Sequence, residues 1–221
     1  MSTETNWLTQ IEHDWILLAR NDRRLNVGRF YRHILTAHKA GFVPLESVAM
    51  TANALLISTI SGAVDLGHRL LGQVGVDRHP ALRVVHALAL LDGRDIAPDV
   101  AAAHVVMRDV LSDSDVPERL RGIVFAALGD SSRLGRESAP DANDAVRNYE
   151  RAFGLGIRQV AWNMGLYWEG LWGIARCEDL LPDVAQALMW YRRGASASEK
   201  CARRVLELTA EVAQGTGQAV G

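Results

Sequence analysis

Lysine is almost absent from this chain: only Lys39 and Lys200 are Lys among 24 basic residues, and the other 22 are Arg. That arginine excess does not make a basic protein, because Asp and Glu number 26 and the formal net charge is −2. With a sequence pI near 6.4 there is no electrostatic footprint for a nucleic acid, and codon composition explains the bias better than a binding surface does. Cysteine is equally scarce. Cys177 and Cys201 stand in no CxxC or metal-ligand spacing, which excludes a disulfide framework and points to a reducing, cytoplasmic setting. Nothing at the N-terminus reads as a secretory signal. Long apolar runs are also missing: Ser47 to Val64 carries no charge, but Ser47, Thr51, Asn53, Ser58, Thr59 and Ser61 interrupt it, so a membrane span is not expected. Finally, no run shows clean apolar alternation beside a hairpin signal, so no strand is predicted.

What is present is helical periodicity in a chain long enough, at 221 residues and 48% hydrophobic, to bury a core without disulfides or metal. The clearest stretch runs from Leu155 to Ala195, two amphipathic patterns joined by a loop. In the second, Val184, Ala187, Leu188, Tyr191, Gly194 and Ala195 share one helical face. Its opening, Pro182-Asp183, has two precedents, Pro98-Asp99 and Pro140-Asp141, spaced 42 residues apart each time. A small residue follows each Asp by four (Ala103, Ala145, Ala187) and a bulky one by eight (Met107, Tyr149, Tyr191). Six residues before the first two Asp stand Gly93 and Gly135, whereas Asp183 follows a loop that reads as six residues longer. Self-similarity at such a period is the signature of a helical solenoid.

These residues resemble the Sel1-like repeats, a subclass of tetratricopeptide-type helix pairs. Leu128-Gly129, Gly135, Asp141, Ala145, Tyr149 and Ala152 follow the family pattern without a gap. Met164-Gly165, Trp168, Gly173-Ile174, Asp183, Ala187, Trp190-Tyr191 and Ala195 follow it with the longer loop. A weaker copy comprises Ala87, Gly93, Ile96, Asp99 and Ala103, with His86 at the Leu position and Val106-Met107 at the aromatic pair. Departures are Ser132 for the Tyr of the first helix, Gly194 for the first closing Ala, and Leu171 for a Gly.

The other helices follow from stripes and breakers. Asn6 to Arg20 carries Trp7, Leu8, Ile11, Trp15 and Leu18, with Thr5 or Asn6 as cap. Leu25 to Ala40 resumes after Asn21-Asp22, and its Phe30-Tyr31-Arg32 echoes Trp190-Tyr191-Arg192. Leu45 to Ile60 follows Pro44, and Gly62 to Leu71 is its partner, weakened by internal glycines. His79-Pro80 opens a helix through Leu91; Asp99 to Leu111 follows it. The polar run Ser112 to Asp115 then separates this pair from Pro117 to Leu134, with Asp115 as the expected N-cap. Ser198 to Ala213 reads as a capping helix, and Gln214 to Gly221 as a disordered tail. The expected architecture is all-α: an α-solenoid of about eleven helices in five antiparallel pairs and a cap. Residues 1–213 form one domain, made of diverged helices over 1–78, repeats over 79–196 and the cap over 197–213.

Signs of chemistry are sparse. The histidines, His13, His33, His38, His68, His79, His86 and His104, form no i, i+4 pair and no HExxH. Gly154-Leu155-Gly156 lacks a preceding strand and a third Gly, and reads as a helix end rather than a phosphate loop. Asp113 to Asp115 lacks the turn glycine and terminal Glu of a calcium loop, and helix capping explains it better. No nucleophile elbow or carboxylate dyad is present, so neither an enzyme nor a cofactor is expected. The unabsorbed feature is tryptophan: Trp162, Trp168, Trp172 and Trp190 lie within 29 residues. The resemblance assigns Trp168 and Trp190 to the core, while Trp162 and Trp172 are divided between core and surface.

The resemblance implies a scaffold that binds a protein or peptide and performs no chemistry of its own: a bacterial cytoplasmic adaptor, chaperone-like or regulatory. An inhibitor or immunity-type protein that blocks a toxin or effector is the narrower alternative; an enzyme or nucleic-acid regulator built on a solenoid is the one from another class. In the family the first helix of each pair lines the concave face. With Val160, Met164, Trp168 and Leu171 as core stripe, Gln159, Asn163 and Tyr167 form the neighbouring stripe, with Trp172 at its edge. These four are the expected partner-binding residues.

Overall fold

A computed structural model describes residues 3–93, 97–172 and 182–217. All regular structure among them is helical: α1 Thr3–Ala19, α2 Val27–Lys39, α3 Leu45–Leu56, α4 Ala63–Val74, α5 Pro80–Asp92, α6 Val100–Ser112, α7 Glu118–Leu134, α8 Ala142–Gly154, α9 Ala161–Trp168, α10 Val184–Gly194 and α11 Glu199–Gly217. Two 3-10 turns, Val76–Arg78 and Arg158–Val160, precede α5 and α9. The chain forms two compact units, Met1–Ser114 and Asp115–Gly221, and the boundary falls in the polar run of residues 112–115. In the first unit α1 packs on α2, α3 on α4 and on α5, and α5 on α6; in the second, α7 packs on α8, α9 on α10, and α10 on α11.

The three Pro-Asp openings share one local geometry. Asp99, Asp141 and Asp183 are N-caps with φ between −120° and −123°. Each carboxylate accepts a 2.9 Å hydrogen bond from the backbone N–H three residues on, which satisfies a donor that the first helical turn leaves open. Each Asp also donates its own N–H back to the preceding helix, to the carbonyls of Leu90, Ser132 and Trp168 respectively. That acceptor lies nine residues back in the first two copies and fifteen in the third, so the third loop is six residues longer, as the spacing predicts. Gly93 and Gly135 adopt left-handed φ values of 63° and 65°, and the ring of Pro98 or Pro140 fills the space where a side chain would lie. Four and eight residues after each Asp, Ala103, Ala145 and Ala187, then Met107, Tyr149 and Tyr191, are fully buried.

Several sequence expectations need correction. Helix α1 begins at Thr3, so Thr5 and Asn6 lie inside it rather than at its N-cap position, and Leu8 is exposed rather than part of the core stripe. Helix α3 stops at Leu56 instead of Ile60 because Asn21, itself at φ 49°, reaches across to accept hydrogen bonds from Ser58 Oγ at 2.9 Å and Thr59 N at 3.0 Å. That break also divides the uncharged segment of residues 47–64; among the described residues no helix is long and apolar enough to cross a membrane. Helix α4 runs on through Gly72 to Val74, where the buried side chains of Leu70, Leu71 and Val74 outweigh the glycine cost.

The Phe30-Tyr31-Arg32 echo is out of register. Helix α2 has its own cap, Asn26, which accepts from Arg29 N at 2.9 Å, and the residues buried four, eight and eleven positions later are Phe30, Ile34 and Ala37. Tyr31 is therefore only partly buried, unlike Tyr191. At α7 the N-cap position is Pro117, with no side-chain cap bond, in place of Asp115. Asp113 does not cap a helix N-terminus: it follows α6 and pairs with Arg83 Nη2 at 2.6 Å, while Asp109 takes Nη1 at 2.8 Å, binding α5 to α6. Residues 214–217, expected to be disordered, extend α11, since no proline or capping residue intervenes to end the helical hydrogen bonding.

Candidate functional site

The second unit carries a polar and aromatic cluster built on three helices. Its base is Tyr149 of α8, whose ring lies against Gly129 of α7: a Cβ there would sit 2.8 Å from two of the ring carbons. The missing side chain lets the ring cross α7 closely, and the hydroxyl emerges beside Asp130, donating to Oδ1 at 2.6 Å. Asn163 of α9 completes the junction, its Nδ2 lying 3.1 Å from the Tyr149 hydroxyl and 3.3 Å from Asp130 Oδ1. Arg133, one turn along α7, reaches the same hydroxyl with Nε at 3.3 Å. Burial, reinforced by the charge of Asp130, pushes the Tyr149 phenol well above its ordinary value, so it remains a neutral donor.

The outer edge of the cluster is aromatic. Trp172 donates its indole N–H to the Asn163 carbonyl at 2.6 Å, and its ring lies 5.8 Å edge-on from Tyr149 and 4.8 Å from Tyr167. Asn163, Tyr167 and Trp172 are thus brought together, and all three are partly buried. Gln159 does not join the stripe: it lies in the 3-10 turn before α9 and is exposed. Leu171 is likewise no core residue, being 57% exposed, because α9 ends at Trp168 and Gly170 turns the chain at φ 73°. Gly173-Ile174 and Cys177 lie outside the described residues.

A second junction repeats the first with different residues. Tyr191 of α10 lies across Gly165 of α9, where a Cβ would overlap the ring, and its hydroxyl donates to Glu169 Oε2 at 2.6 Å. Glu169, with a side chain only 6% exposed, is also gripped by Arg204 of α11, which reaches Glu207 and Glu211 at 3.1 Å each. Burial, then the hydrogen bond to Glu169, raises the Tyr191 phenol. Trp162 packs 5.4 Å from Tyr191 and Trp168 touches the core of both junctions, so these tryptophans stabilise the unit. The first-unit copy has Ala87 and Met107 at the matching positions, and therefore no hydroxyl to present.

The roles of Asp130, Arg133, Glu169 and Arg204 were not foreseen from sequence. One signal was present: an acid follows the packing glycine on the first helix of both copies, at one residue in Gly129-Asp130 and at four in Gly165 to Glu169. Ser132, which departs from the family's Tyr, has a partner too, with Oγ 2.6 Å from Asp144 Oδ2; that bond, then Arg147, holds the Asp144 carboxyl below the usual range.

Among the described residues no group of three His, Cys, Asp or Glu side chains is arranged to hold a metal ion. Cys201 is fully buried between α10 and α11, and burial raises its thiol pKa, which disfavours thiolate chemistry. What the junction at Asp130 offers is hydrogen-bond acceptors and aromatic faces. No protein-family model, no curated protein and no solved structure matches this chain.

Proposed function

We propose that the protein is a non-catalytic scaffold, a Sel1-like α-solenoid of antiparallel helix pairs that holds a protein or peptide partner on the surface formed by Asn163, Tyr167 and Trp172. The observation that carries this reading is their meeting with Asp130 at one edge of the second unit, where amide, carboxylate and aromatic groups stand together. The two aromatics are braced by each other and by Tyr149, so they present contact area with little rotamer entropy left to lose on binding. The recurring Asp cap, Ala and buried bulky residue support the repeat assignment. The reading includes a reducing, cytoplasmic setting, consistent with Cys201 as a buried free thiol.

Asn163 is also part of the fold, since its amide bonds the buried Tyr149 hydroxyl; replacing it alters more than the surface. Tyr167→Ala is therefore the cleaner test. Affinity capture from the native host with the parent chain, with Tyr167→Ala and with Val105→Ala on exposed α6 should recover one discrete partner with the first and third baits only. Tyr167→Ala should lose at least ten-fold in recovery, about 1.4 kcal/mol of binding, while its melting temperature shifts little. Equal recovery with all three baits would place the binding surface elsewhere, and no discrete partner with any of them would contradict the scaffold reading.

A further inference from the structure

We propose that the surface around Asp130 receives an arginine side chain of the partner. The inference rests on the scaffold reading above and deepens it by naming the chemistry that the site fits. Asp130 has committed one oxygen: Tyr149, Asn163 and, at 3.7 Å, Arg133 all converge on Oδ1. Its side chain is nevertheless 44% exposed, and Oδ2 accepts no hydrogen bond from any described residue. Asn163 is in the same state, with Nδ2 spent on Asp130 and Tyr149 and with no donor to Oδ1 among the described residues. The cluster therefore holds two acceptor atoms that take no donor among the described residues, one of them on the 44% exposed carboxylate of Asp130, beside Trp172, which bonds the Asn163 carbonyl and packs on Tyr167.

A ligand for this arrangement needs several donors, a positive charge and a flat face. Guanidinium has all three: it donates in a rigid fork, pairs with carboxylates and stacks on aromatic rings. An ammonium group supplies the charge without the plane, and an anion would be repelled by the Asp130 carboxylate. Arg133 offsets part of the negative charge, but its closest approach is to Oδ1, at 3.7 Å, and no described residue donates to Oδ2. The orientation of Asp130 is set before binding, because the Tyr149 and Asn163 donors hold it.

The test uses the full chain and three peptides, Gly-Gly-Arg-Gly-Gly, its lysine counterpart and its citrulline counterpart, titrated while the indole N–H signal of Trp172 is followed by NMR. Trp172→Phe assigns that signal. The arginine peptide should shift it saturably, the lysine peptide should bind at least five-fold more weakly, and the citrulline peptide, isosteric but uncharged, should not bind. Asp130→Asn keeps an acceptor for Tyr149 and should weaken the arginine peptide at least ten-fold, whereas Asp65→Asn, the same charge change at an exposed position of α4, should leave it unaltered. Citrulline binding as well as arginine, equal losses from both Asn variants, or no movement of the Trp172 signal would each overturn the arginine assignment. A negative result here together with partner capture that depends on Tyr167 would remove the arginine inference alone. Arginine binding without such capture would remove the scaffold reading at this surface.

Discussion

Gly165→Ala is expected to lower the unfolding free energy by about 3 kcal/mol, at the upper end of what a single added methyl costs in a packed core. A Cβ at this position would overlap the ring of Tyr191. Tyr191 is fully buried and its hydroxyl is fixed on Glu169, so the ring cannot move aside without breaking that bond. Gly129→Ala places a Cβ 2.8 Å from the Tyr149 ring and should cost less, about 2 kcal/mol. The comparison that isolates the cause is Gly72→Ala: it also lies inside a helix, but a Cβ there meets nothing within 4 Å. It should stabilise by about 0.5–1 kcal/mol through helix propensity. Urea denaturation of the three variants checks the order. If Gly165→Ala unfolds at the parent's midpoint, Tyr191 does not cross α9 as described.

Glu169→Ala should cost about 2–3 kcal/mol, because it strips a nearly buried carboxylate from two partners and leaves the Tyr191 hydroxyl without its acceptor. The loss stays below the full cost of orphaning a buried charge, since Arg204 keeps Glu207 and Glu211 and is itself 22% exposed. Its effect should be local. Amide hydrogen exchange over residues 201–213 of α11 should accelerate at least ten-fold, while α7 and α8 exchange as in the parent. Glu169→Gln, which still accepts from Tyr191, should fall between Ala and the parent. Uniform acceleration across the unit would show that Glu169 stabilises the core generally rather than fastening α11.

The helices were legible because their signals are local. The Asp caps, the apolar spacing after each and the six-residue loop excess were all readable, since each depends on a few neighbouring residues. Features that depend on distant partners were hidden. Helix α3 ends where Asn21 reaches Ser58 and Thr59, 37 and 38 residues away in sequence, and Asp113 is claimed by Arg83, 30 residues upstream. At the site, Asn163 and Tyr167 lie on regular helix α9, where the stripe spacing holds, whereas Gln159 lies in the 3-10 turn before α9, where the period differs. Asp130 escaped notice for a related reason. On α7 it looks like a solvent-facing acid, and only the close crossing of Tyr149 over Gly129 brings a buried hydroxyl to it.

The most direct test of the partner-binding surface is site-specific photo-crosslinking in the native host, with a benzophenone amino acid in place of Tyr167 or, as a control, in place of Val105. The Val105 side chain is 58% exposed on α6 and that of Tyr167 is partly buried at the cluster's edge. The account predicts one discrete higher-mass adduct from position 167, with a single partner identified by mass spectrometry, and none above background from position 105. Adducts of equal yield at both positions, or none at 167 while another exposed position gives one, would contradict it.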